Sequence, residues 1–147
     1  MNFSTLDEVP EMSRQVAEIL YKEWKDDFKR FDNIDTIEQL EEHIKQSKVF
    51  LACFKEEVIG VATISKEDWG VRPDLTPWLA NVCIKPKYRH MGVGKSLVRF
   101  VLSHVKKPNP IYLWTCTEKL VKYYEMLGFK LLQYLDTHIY VMYYIPK

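Results

Sequence analysis

The stretch Trp78-Leu79-Ala80-Asn81-Val82-Cys83-Ile84-Lys85-Pro86-Lys87-Tyr88-Arg89-His90-Met91-Gly92-Val93-Gly94-Lys95-Ser96-Leu97 decides how the chain folds. Its first seven residues are mostly apolar, β-branched or aromatic, as a buried strand requires. Pro86 cannot donate to a ladder, so the strand is expected to stop before it. Two glycines follow in a short basic loop. Val93, Leu97, Val101 and Val105 then recur every four residues, with Val98 and Leu102 widening the stripe. That spacing is one face of a helix. A strand, a glycine loop and a helix in this order point free backbone N–H groups and a helix N-terminus at an anion. Glycine lets the backbone approach a phosphate closely, and Arg89 and Lys95 add positive charge on either side. Two nucleotide-binding patterns fail. A P-loop ending at Gly94-Lys95-Ser96 needs glycine where Arg89 stands, and a dinucleotide fingerprint needs one where Leu97 stands. A glycine-containing connection without a ligand is the plain alternative.

Upstream, residues 2–6 suit a short strand. Asp7 is placed to cap the helix that follows, and Pro10 fits its first turn. Val9, Met12, Val16, Ile19, Leu20, Trp24 and Phe28 keep helical spacing. Residues 24–31 are rich in aromatics and mixed charge, which suits a frayed helix end or, if it lines a cleft, the rim of a site for a cation. A second helix starts at Asp35 or Thr36, where Asp35 with Glu38 or Thr36 with Gln39 would make a capping box, and ends before Ser47. Runs at 49–54 and 58–64, joined by a short polar link, predict an antiparallel hairpin. A polar loop over 66–77 leads into the strand at 78–84.

Downstream, the helix is expected over 93–105, and Pro108-Asn109-Pro110 breaks it. A strand at 111–116 follows a helical crossover and should therefore pair in parallel. Thr117 can cap a short helix with Leu120, Val121, Tyr124 and Leu127 on one side, and Gly128 is a natural residue just past its end. Strands at 129–135 and 138–145 flank Asp136-Thr137, a tight turn.

Composition sets bounds. The chain has 147 residues, 47% hydrophobic and 28% charged, which suits one domain over 1–147 with a real core. A net charge of +1 provides no global field for nucleic acid or an acidic membrane, so neither is an expected partner. Cys53, Cys83 and Cys116 lie within or beside apolar runs and in no metal-ligand spacing. No metal is expected. Three buried-looking thiols, no stretch of membrane-spanning length and no basic-then-apolar leader make the cytoplasm the expected setting.

The order strand, two helices, three antiparallel strands, helix, parallel strand, helix, two strands resembles the GNAT superfamily of N-acetyltransferases along essentially the whole chain. Arg89-x-x-Gly92-x-Gly94 resembles the family's pyrophosphate-binding signature. Tyr123-Tyr124-Glu125-Met126-Leu127-Gly128-Phe129 resembles its helix-end pattern. The resemblance implies an α/β (α+β) fold: a mixed, mostly antiparallel sheet of about seven strands with about four helices, splayed between the fourth and fifth strands. It also implies acetyl-CoA as cosubstrate. The backbone of Val82, Cys83 and Ile84 would pair with the pantetheine arm like an added strand. Amides along His90, Met91, Gly92, Val93, Gly94, Lys95 and Ser96 would hold the pyrophosphate. Arg89 and Lys95 would add charge, or else be solvated.

Tyr124 matches the family tyrosine that commonly protonates the departing thiolate, and Tyr123 matches a core position. Thr117 stands where the family often has Asn, so it could hydrogen-bond pantetheine or only cap its helix. The base is unassigned, since the strand at 78–84 holds no carboxylate. Asn81 could orient a water or the amine. Asp68, Asp74, Glu118 and Asp136 fall on loops that could border the site, although each also suits solvated surface. His138 is a further candidate, and a water-relayed base is the working expectation. The implied activity is acetyl transfer to a primary amine, first of a small molecule, alternatively of a protein N-terminus or lysine. A catalytically silent acyl-CoA-binding module is the alternative of another class. A monomer or a homodimer is expected.

Overall fold

The computed structural model describes residues 1–147 except 108, 136 and 137. Pro108 of the expected break, the expected turn at Asp136-Thr137 and the candidate Asp136 lie outside the described residues. The strands are β1 (Asn2–Thr5), β2 (Lys48–Phe54), β3 (Glu57–Ser65), β4 (Trp78–Ile84), β5 (Ile111–Thr115), β6 (Lys130–Leu135) and β7 (Ile139–Tyr144). The helices are α1 (Ser13–Asp32), α2 (Ile37–His43), α3 (Val93–Leu102) and α4 (Glu118–Met126). The strands make one seven-stranded sheet in the order β1-β2-β3-β4-β5-β7-β6. Every neighbouring pair is antiparallel except β4 with β5.

Helices cover both faces, which is why the central strands are buried runs rather than alternating ones. In β2, Val49, Leu51 and Cys53 face one core with Val16, Leu20 and Leu40 of α1 and α2. Phe50 and Ala52 face the other, with Leu97, Val98 and Val101 of α3. Trp78, fully buried, anchors the start of β4, and its indole donates to the Leu75 carbonyl at 2.7 Å.

Several local expectations need correction. Asp7 caps nothing: α1 is entered through a 3₁₀ turn, Pro10–Met12, and its N-cap Met12 has no side-chain cap. Of the two capping boxes, the one formed is Thr36 with Gln39. Helix α3 ends at Leu102, three residues short of Val105, where Ser103 bonds its hydroxyl back to the Phe100 carbonyl. This is the local competition by which serine ends helices. Cys53 and Cys83 are buried, but Cys116 is exposed.

Two distortions matter for the site. Helix α1 is interrupted at Trp24, whose φ of −129° is not helical. In β4 a bulge lies opposite β3, where pairing steps from Val61–Cys83 to Thr63–Ala80. Asn81 occupies it with φ 54°, a conformation that asparagine tolerates far better than a β-branched residue. Its side-chain amide donates to the buried Thr63 hydroxyl at 3.1 Å, and that hydroxyl donates to the Ala80 carbonyl at 3.0 Å. Asn81→Val should therefore unfold in urea about 1–2 kcal/mol below Asn81→Gly, which keeps the backbone geometry. Equal stabilities would show that the left-handed residue is not what holds the bulge.

Candidate active site

Strands β4 and β5 part almost where they meet. Trp78 opposite Tyr112 is the one register pair between them among the described residues, joined by the Tyr112 N–H on the Pro77 carbonyl at 3.0 Å. Beyond it, Val82, Cys83 and Ile84 line a cleft of about 740 Å³ instead of pairing with β5. A strand edge without a neighbour is a ready partner for an extended ligand.

The glycine loop closes one end of this cleft. After the 3₁₀ turn Pro86–Tyr88, the chain takes positive φ at His90 (64°) and Gly92 (83°) and enters α3 with Gly92 as its N-cap. No side chain caps this helix, and its first internal bond runs from Ser96 N–H to the Gly92 carbonyl at 3.1 Å. The amides of Val93, Gly94 and Lys95 are therefore left without partners inside the helix, at its positive end. Gly94 is needed for space as well. A Cβ there would stand 2.9 Å from the Tyr123 hydroxyl.

Val82, Cys83, Ile84, Arg89, His90, Gly92, Gly94 and Lys95 all line the 740 Å³ cleft. The side chains of Met91, Val93, Ser96 and Thr117 are not among those lining that wall. Met91 is 68% exposed, Val93 packs into the core, and Ser96 faces solvent. Thr117 caps α4, accepting the Leu120 N–H at 3.2 Å. Arg89 is neither free nor merely solvated: it donates to the Ile84 carbonyl at 2.7 Å and pairs with Glu23 of α1 at 3.2 Å. It thereby ties the loop to β4 and α1. Tyr123 is half-buried against the core and reaches the cleft with its hydroxyl edge.

A second cleft, of about 260 Å³, adjoins the first across Trp24, Val82 and Leu120. Here Tyr124 of α4, Asn81 of β4, Trp114 of β5 and Asp68 of the β3–β4 loop come together. Tyr124 is 8% exposed and packs edge-on against Tyr123 and Phe129. Burial pushes its phenol well above the usual value, so the hydroxyl stays protonated. Asp68 moves in the same direction. Desolvation raises its carboxyl to about 7, helped by the negative charges of Glu67 and Asp32 and opposed by the Trp114 indole. That indole N–H nevertheless falls short of hydrogen-bond geometry to any described group.

A third cleft, of about 370 Å³, shares Asp68, Trp69, Ala80 and Asn81 with the second and opens toward α2. Phe28 and Asp32 line it, so part of the aromatic and acidic run at 24–31 does border a cleft, as does Trp24. The loop that carries Asp68 is pinned there. The Trp69 indole stacks on Phe31 and donates to Asp32 at 2.7 Å, and Gly70 N–H bonds the Glu67 carboxylate at 2.8 Å. The other base candidates are elsewhere. Asp74 is held by Arg72 at 2.7 Å, Glu118 is exposed on the first turn of α4, and His138 is exposed beside the Tyr134 hydroxyl. Sequence reasoning weighed Asp68 only as one of several loop carboxylates. Nothing local marks it, because the wall it faces comes from β4, β5 and α4.

Among the described residues no group of three or more His, Cys, Asp or Glu could hold a metal, and no helix is long and apolar enough to cross a membrane.

Comparison with known proteins gives a consistent picture. The family model described as Acetyltransferase (GNAT) family matches residues 14–129. No curated protein matches the chain. Among solved structures, an aminoglycoside 6'-N-acetyltransferase complexed with coenzyme A superposes with a TM-score of 0.77 at 17% identity, covering 100% of this chain and 98% of that one. The aminoglycoside 6'-N-acetyltransferase from Enterococcus faecium gives 0.74 at 16% identity, with the same coverage. A structure from Corynebacterium glutamicum described as histone acetyltransferase HPA2 and related acetyltransferase gives 0.73 at 20% identity, covering 93% and 92%.

Gly92→Ala places a Cβ on a backbone with φ 83° in open space, so strain alone should lower stability by about 1 kcal/mol. Urea denaturation measures this directly, and an unchanged midpoint would mean that the loop relaxes into another conformation.

Proposed function

The chain belongs to the GNAT family of acetyltransferases, and from that premise we propose that it transfers the acetyl group of acetyl-CoA to a primary amine of a small molecule, by direct attack in a ternary complex. The observation that carries the proposal is the parting of β4 and β5, which opens a continuous wall from the glycine loop to Tyr124. The residues present fit the cosubstrate. Free amides at the start of α3 suit a pyrophosphate, and the side of β4 that β5 leaves uncovered along Val82–Ile84, where Arg89 already takes the Ile84 carbonyl, suits the amides of a pantetheine arm. The open space beside Gly92, where a Cβ would meet nothing within 4 Å, supports close approach of the phosphates. Lys95 adds a screened positive charge, and Arg89 acts mainly by positioning the loop.

The reaction needs three things of the protein. It must hold the thioester against the amine, which the two adjoining clefts favour by proximity. It must donate a hydrogen bond or proton to the departing sulfur. Tyr124 suits that role because its phenol remains neutral across the working pH range. It must also take a proton from the incoming amine. Acidic and aromatic groups on the acceptor side, Asp32, Glu67 and Phe28 among them, favour a cationic acceptor. The solved aminoglycoside acetyltransferases fit the same preference by their names. A cytoplasmic, reducing setting fits the three free thiols, and a single domain fits one sheet shared by all the strands.

The test is acetyl-CoA consumption, with product mass, against polyamines, amino sugars, amino acids and short peptides. Turnover on small amines is expected. Tyr124→Phe should lower kcat on the order of 10²-fold while leaving acetyl-CoA binding nearly unchanged. Because burial raises the Tyr124 pKa, its deprotonation should impose no fall in rate below about pH 10. Turnover confined to peptides would move the acceptor to protein N-termini or lysines. Cofactor binding with no turnover on any amine would favour a silent acyl-CoA-binding module.

A further inference from the structure

We infer that Asp68 is the general base: it receives a proton from the acceptor ammonium, which reaches it from the α2 side. This inference rests on the acetyl-transfer reading above and adds to it the group that the strand at Trp78–Ile84 does not supply.

The placement is specific. Asp68 lines both the 260 Å³ cleft that holds Tyr124 and the 370 Å³ cleft that opens toward α2. It therefore stands where the two spaces meet, with Asn81 beside it. The acyl donor arrives along β4 from the glycine loop, and the acceptor has the remaining approach, past Asp32 and His43. A carboxylate at that junction meets the ammonium just before the nitrogen reaches the thioester. The loop is fixed for this by the Trp69 indole on Asp32 at 2.7 Å and by Val71 N–H on the Asp68 carbonyl at 3.2 Å. Positive φ at Trp69 (50°) and Gly70 (78°) makes the tight turn that sets the loop on α1.

The surroundings tune the group to this task. The titratable or charged side chains bordering the two clefts are Lys66 and Glu67 on the same loop, Asp32 of α1, His43 of α2, Cys116 after β5 and Tyr124 of α4. Burial dominates, and Glu67 and Asp32 push the carboxyl further up, to about 7. A base with that pKa is available at neutral pH and still strong enough to accept a proton.

The proton balance closes. Asp68 carboxylate takes one proton from the ammonium, freeing the nitrogen lone pair. The N–C bond forms at the acetyl carbonyl carbon and the C–S bond breaks. The Tyr124 hydroxyl protonates the departing sulfur, and the second nitrogen proton, lost as the amide forms, restores that hydroxyl. Asp68 then releases its proton to solvent. The sum is ammonium and thioester giving amide, thiol and one proton.

The experiment is the pH dependence of kcat at saturating amine for wild type, Asp68→Asn, Asp68→Glu and Glu67→Gln, with acetyl-CoA binding measured by calorimetry. Wild-type kcat should rise through about pH 7. Asp68→Asn should lose about 100-fold or more at pH 7.5 and lose that limb, while binding acetyl-CoA as wild type does. Asp68→Glu should recover part of the rate. Glu67→Gln, which can still accept the Gly70 N–H, should shift the limb to lower pH by removing one negative charge. Folding of Asp68→Asn has its own readout. A carboxyl whose pKa is raised in the folded state costs stability as pH climbs from its unfolded value to its folded one. The variant should therefore match wild type at pH 4 and exceed it at pH 8. Wild-type turnover with an unaltered limb in Asp68→Asn overturns the assignment. A limb that Glu67→Gln leaves in place overturns it too, because the titrating group would then lie elsewhere. Absence of wild-type turnover on every amine overturns the acetyl-transfer reading itself, and the base with it.

Discussion

The structure depends on one constraint: two parallel strands that begin side by side do not stay paired. A buried backbone N–H or C=O left without a partner is costly, so a sheet opens only where something else satisfies those groups. At β4 the opening begins one step beyond Trp78, which is fully buried and bonded to the Leu75 carbonyl. The bulge at Asn81 then turns the backbone of β4 out of register with β3. The neighbouring elements are arranged around that gap. The glycine loop lies at one end, α4 presents Tyr124 to its middle, and the kinked segment of α1 at Trp24 leans over it.

The gap also explains how charge is distributed around the site. On the glycine-loop side, free amides and Lys95 favour an anion, while Arg89 is already engaged with Glu23. On the α2 side, Asp32, Glu67 and Asp68 favour a cation. On the proposed reading, an anionic cosubstrate and an amine meeting Asp32, Glu67 and Asp68, with Lys66 and His43 beside them, would approach from opposite ends. The narrow middle is where charge is least welcome. Burial there keeps the Tyr124 hydroxyl protonated, able to donate a hydrogen bond, and raises Asp68 to about 7, near the working pH.

The fold could be foreseen because its signals are local. Buried runs at β2 and β3, the glycine loop before an amphipathic α3, and Thr117 and Gly128 bracketing α4 each need only their immediate neighbours in sequence. Where local rules competed, the outcome was set by contacts the sequence does not display. Asp7 gave way to a 3₁₀ entry into α1, and Ser103 ended α3 early. For the candidate site, the wall proposed for the cosubstrate was legible because it is one continuous stretch, Val82 to Lys95. The acceptor side was not. Asp68 lies in a loop whose composition suits solvent, and its environment is made by Trp114, Tyr124 and Asn81 from three other elements. The bulge left a faint signal, an asparagine inside an apolar strand, but its left-handed backbone follows from the mismatch with β3.

The most direct measurement is amide hydrogen exchange along β4 and the start of α3, with and without saturating coenzyme A. Slowed exchange at Ile84, whose backbone faces the gap rather than β3, together with Val93, Gly94 and Lys95 is the expected result, because one ligand would bridge the open strand edge and the helix N-terminus. Unchanged exchange at both places would contradict the assignment of this gap as the cosubstrate site.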